Sequence, residues 1–163
     1  METMVAFAQT CLIAYLGAWL LLGVRDNIIH PSMNAAGTTD VLELKRLRED
    51  YPEAYALIKG RRVTRRALQR AAFVFIVCCE VLVCLLLWGA TIWMVLALCG
   101  LADLEQARIT ALAGALGFTS IWSGFLIVGN HFAYWFCHQW AQNTHFQMVL
   151  WGIGTMVLLA VPQ

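Results

Sequence analysis

Charge is what this chain has least of. Asp, Glu, Lys and Arg make up 13% of 163 residues and apolar residues 61%, where soluble domains carry about 25% charge. Too few polar side chains remain to cover a water-facing globule, and far too many apolar ones for a disordered chain. Proline is nearly missing, with Pro31, Pro52 and Pro162 only, so long stretches run without a helix breaker. Basic residues are scarce outside one segment: ten of the eleven Lys and Arg fall between Arg25 and Arg70, and the other is Arg108. No two of the six cysteines (Cys11, Cys78, Cys79, Cys84, Cys99, Cys137) make a CxxC pair, and most sit in apolar runs. Neither a disulfide framework nor a zinc site is expected from them, and they read as small packing residues. Serine-nucleophile, phosphate-loop, HExxH and paired-carboxylate motifs are also missing, so the chain is not expected to be an enzyme.

What is present is a series of apolar runs. Ala71–Gly100 holds 30 residues with one charge, Glu80, and no proline. As a helix it would reach ~45 Å, longer than the ~30 Å hydrocarbon core of a bilayer. The other runs are residues 4–24, 109–128 and 146–161. The last is short, covering only ~24 Å as a helix. Glu2 is the only early charged side chain, and Gly23-Val24-Arg25-Asp26 makes a poor cleavage site. The first run is therefore expected to stay as a span and not to be removed as a signal peptide. The reading is a single domain over residues 1–163: an all-α, four-helix transmembrane bundle with spans at about 4–24, 71–99, 109–128 and 146–161.

Residues 25–70 form the wet connection. Residues 25–39 read as loop around Pro31, Asn34 and Gly37. Asp40 and Glu43 have capping-box spacing ahead of VLELKRLREDY. Pro52 suits the start of a further short helix ending near Gly60. These short amphipathic helices are expected to lie at the interface. Arg61, Arg62, Arg65, Arg66 and Arg70 then crowd the entrance to the second span with no acid among them. They read as a positive-inside signal that attracts anionic lipid or an acidic partner. With no binding fold and no interleaved aromatics, nucleic acid is not an expected partner. On this reading residues 25–70 are cytoplasmic and both termini periplasmic, in a bacterial inner membrane.

Three groups of residues are candidate sites. Glu80 lies nine residues inside the second span, ~13 Å from Ala71. An ionised carboxylate near the midplane costs ~2.5–3.5 kcal/mol, so it should be protonated or paired, with Gln9, Ser120 and Ser123 as candidate partners. Ala113, Gly117, Ser120 and Gly124 form a small-residue stripe at spacings of four, three and four, suited to close helix packing in lipid. His131, His138 and His145 are spaced by seven. On one continuous helix they would lie ~10.5 Å apart, too far to share one metal ion. A single axial histidine can still hold a haem or chlorin. His131, His138, Trp135 and Trp140 are therefore interfacial aromatics with a possible cofactor contact, although no cofactor or metal is expected.

Asn27-Ile28 with Pro31 and Asn34, Ala71-Ala72 followed by Glu80, the segment GALGFTSIWSGFLIVG over Gly114–Gly129, and Phe132, Trp135 and Trp140 together resemble one family. It is the small bacterial integral membrane proteins grouped as domain-of-unknown-function family two-one-six-five. Asn130 and the tract WAQN at Trp140 depart from that pattern, which has an acid and WNGQ there. The resemblance implies a fold and carries no activity. The functional expectation is a non-catalytic accessory or assembly subunit packing beside larger subunits of a respiratory or photosynthetic complex in the lipid bilayer. The alternatives are a haem-, pigment- or quinone-binding electron-transfer subunit and a proton or ion conduit centred on Glu80.

Overall fold

A computed structural model describes residues 2–161 as helices joined by short turns, with no strand among the described residues. The chain ends expected to share one side of the bilayer lie outside that range. The long helices are α1 (Glu2–Ile29), α5 (Arg66–Leu98), α6 (Leu104–His131) and α8 (Gln139–Leu159). Between them lie α2 (Pro31–Leu42), α3 (Lys45–Asp50), α4 (Pro52–Ile58) and α7 (Tyr134–Cys137). Helices α1, α5 and α6 are long and apolar enough to cross a membrane. The fourth expected span lies in α8, whose first turns (QWAQNTH) are polar.

Packing follows helical spacing. On α1 the buried positions Ile13, Leu16, Leu20, Val24 and Asn27 recur every three or four residues, as one face of a 3.6-residue helix must. The four apolar ones meet Cys84, Leu87 and Met94 of α5 in a core that α6 completes with Ala107, Ala111, Ala115 and Phe118. Helix α5 lies between α1 and α6, and α8 packs along the other side of α6. Small residues set those approaches. A Cβ on Gly114 would sit 3.0 Å from the Leu87 side chain, and one on Gly152 would run into the Thr119 hydroxyl. Large apolar groups point outward, among them Phe75, Leu85 and Ile127 at 67–73% exposed. That arrangement suits lipid as the surrounding solvent.

The connection after α1 differs from the expectation. Residues 25–39 are not loop: α1 continues to Ile29, the chain breaks at His30, and Pro31 opens α2. A proline at the first helical position forfeits no hydrogen bond, because that N–H has no partner inside the helix. Asp40 and Glu43 do not cap a helix start either. Asp40 lies within α2 and pairs with Lys45 at 3.6 Å, while Glu43 accepts from Gln69 Nε2 at 2.7 Å. The break falls instead at Leu44, held at φ 53° with its side chain buried. Pro52 does begin α4, which ends at Ile58 in a 3-10 turn containing Gly60.

Candidate functional site

Glu80 is buried, 6% exposed, and its Oε2 accepts a hydrogen bond from Asn27 Nδ2 at 2.6 Å. Asn27, equally buried, in turn accepts from Asn34 Nδ2 at 2.6 Å through its Oδ1. Asn34 is exposed. The two asparagines stand on either side of the His30–Pro31 break, so one carboxyl ties the end of α1, the start of α2 and the middle of α5. The chain of amides also joins a buried acid to the solvent-accessible end of α2.

The partners expected from sequence are engaged elsewhere. Gln9 accepts from Arg108 Nε at 2.9 Å and donates to the Leu158 carbonyl at 2.8 Å, joining α1, α6 and α8 at the opposite end. Ser120 Oγ donates to Leu116 O of its own helix. Ser123 is half-buried and does not contact the acid by a hydrogen bond. Glu80 lies level with Asn27, just beyond the exposed pair Arg25–Asp26, and its helix has 33 residues. Asn27 was nevertheless marked in the sequence: it continues the 13, 16, 20, 24 spacing of the buried α1 face.

The three histidines do not share a helix face. Helix α6 ends at His131, Ala133 takes a left-handed turn at φ 54°, and His138 separates α7 from α8. His131 is exposed, whereas His138 and His145 both stack on Tyr134, with centroids 5.4 and 5.7 Å away and planes 23° and 16° apart. Tyr134 rests on Gly129, where a Cβ would fall 2.9 Å from the ring. Burial pushes the Tyr134 hydroxyl up to about 12. Burial, with Arg46 adding and Asp40 opposing, pulls His138 below its ordinary value. The imidazoles thus face a phenol ring, and no group of three or more His, Cys, Asp or Glu able to hold a metal occurs among the described residues. Trp135 and Trp140 are 49% and 69% exposed, at the positions rimming this end.

The arginines lie beside it. Arg61 Nη1 donates to the His131 carbonyl at 2.9 Å, and Arg62 Nη1 to the Tyr55 hydroxyl at 3.2 Å. Arg65, Arg66 and Arg70 are exposed around the start of α5.

The small-residue stripe divides. Gly117 packs on Val83, where a Cβ would come within 3.0 Å. Ala113 and Ser120 are exposed, and a Cβ on Gly124 would meet nothing within 4 Å. The face that α6 uses inside the chain is Ala107, Ala111, Gly114, Ala115 and Phe118; the expected stripe is largely a second, uncovered face.

A family model described as "Predicted small integral membrane protein (DUF2165)" matches residues 5–162. No curated protein and no solved structure matches the chain.

Proposed function

Since this chain belongs to that family of small integral membrane proteins, we propose that it works without chemistry of its own, as an accessory or assembly subunit beside a larger membrane complex. The supporting observation is the uncovered α6 face. Ala113, Ser120 and Gly124 lie along it, flanked by Leu116 and Ile127 at 56% and 73% exposed. Lipid gains nothing from small residues, whereas a neighbouring helix can bring its backbone close over them and gain dispersion contacts. A respiratory or photosynthetic complex of a bacterial inner membrane is the class of partner proposed. In this reading α8 crosses as a fourth helix, the shortest of the set. Residues 25–70 lie on the cytoplasmic side, where their arginines follow the positive-inside rule.

The test is the mass of the native particle after gentle extraction from its own membrane. A species well above the 18.2 kDa chain, lost on Ser120→Leu while the isolated chain keeps its melting temperature, is the expected result. A lone chain, or a large particle indifferent to Ser120→Leu, refutes the α6 contact. A Soret band in the absorption spectrum would replace this reading with a pigment-binding one.

A further inference from the structure

At the arginine-rich end, α3 and α4 face α7 across a groove of about 200 Å³. Leu47, Ala54, Leu57, Ile58 and Phe136 line it, and Arg61 stands at its edge. None of these residues takes part in the α6 face or in the Glu80 hydrogen bonds. The volume equals that of about seven water molecules at ~30 Å³ each, enough for a stretch of hydrocarbon chain and far too small for a peptide helix. Asn130, also in the wall, follows the apolar run 109–128 by two residues, so the groove opens where the third apolar helix leaves the hydrocarbon. Leu57, at 86% exposed, and Trp135, at 49%, mark the same level with apolar surface that has no cover in the chain.

Charge selects the head of the occupant. Arg61 spends one N–H on the His131 carbonyl, and a guanidinium carries five donors in a planar fork that matches phosphate oxygens. Arg62, Arg65, Arg66 and Arg70 follow with no acid between them, all exposed. An apolar slot at the interface with a cationic edge is complementary to a molecule with a hydrocarbon tail and an anionic head. We propose that the groove between α4 and α7 seats one acyl chain of an anionic glycerophospholipid, with Arg61 holding its phosphate.

The proposal is tested with the full chain in vesicles carrying brominated phosphatidylglycerol or brominated phosphatidylcholine. Trp135 lines the groove, so its emission, taken as wild type minus Trp135→Phe, reports a brominated chain seated there. Half-quenching is expected at about a fivefold lower mole fraction of the anionic lipid, the preference that one basic residue near the surface confers. Arg61→Gln should bring the two lipids to within twofold. Arg62→Gln, whose side chain is engaged with Tyr55 outside the groove, should keep the preference. Ala54→Phe should fill the slot and lose the quenching with every charge intact. Equal quenching by both lipids in wild type overturns the proposal, as does an Arg62→Gln loss equal to that of Arg61→Gln, or undiminished quenching in Ala54→Phe.

Discussion

Removing the Glu80 carboxyl in two different ways separates what its hydrogen bond does from what its bulk does. Glu80→Gln keeps an oxygen that can accept from Asn27 Nδ2, at present 2.6 Å away. Its unfolding free energy should stay within about 0.5–1 kcal/mol of wild type, the net worth of one ordinary hydrogen bond. Glu80→Leu leaves the Asn27 amide facing an alkyl chain at a position 6% exposed. The lost bond alone is worth ~0.6 kcal/mol on average in a membrane helix bundle, ~1.7 at most. An orphaned buried donor costs ~1–3 kcal/mol. The two overlap, so about 1–2 kcal/mol of destabilisation is expected. Asn27→Leu should cost a similar amount. The double variant should recover most of it, because two apolar groups facing each other leave nothing unsatisfied, and Asn34, being exposed, can turn its amide to water. A double-mutant cycle should thus give a coupling close to the sum of the two single costs, about 2–3 kcal/mol. The assay is equilibrium unfolding in mixed micelles, followed by tryptophan emission. Strict additivity of Glu80→Leu and Asn27→Leu would refute the argument, and so would Glu80→Gln proving as harmful as Glu80→Leu.

Gly129→Ala should destabilise by ~1–3 kcal/mol, because its methyl would press on the Tyr134 ring at 2.9 Å, while Gly124→Ala, open on that side, should cost nothing; melting temperatures compare them. In a spectrophotometric titration one tyrosine should ionise near pH 12, held back by burial, and Tyr134→Phe should delete that component and no other. His138 has a folded pKa below the 6.5 of the free side chain, so the folded state binds fewer protons and stability should fall as pH drops through 6.5. His138→Gln should make that acid limb of a stability-against-pH curve shallower, and an unchanged limb would show that His138 takes no part in it.

The apolar helices were legible because a run without charge has few structures open to it: the core of α5 is already visible in Ala71–Gly100. The partner of Glu80 was harder. Asn27 sits beyond the first apolar run, where sequence reasoning expects loop, and α1 continues through it because Pro31, four residues on, starts a new helix without breaking the old one early. The histidine spacing misled for a local reason. Seven-residue spacing implies a shared face only on an unbroken helix, and Ala133 in a left-handed turn breaks it between the first and second histidine with no glycine to announce it. The small stripe on α6 was visible as a pattern, but which of two faces the chain itself covers depends on the angles at which α5 and α8 arrive, and no periodicity within α6 encodes those.

The amide and the acid that clasp α1 to α5 are 53 positions apart, and the amide is made first. At synthesis rates of about 5–20 residues per second, Asn27 and the first rod precede Glu80 by some seconds. The carboxyl therefore enters the oily layer with its consort already waiting, and the greasiest rod of the protein acquires its registration as it arrives.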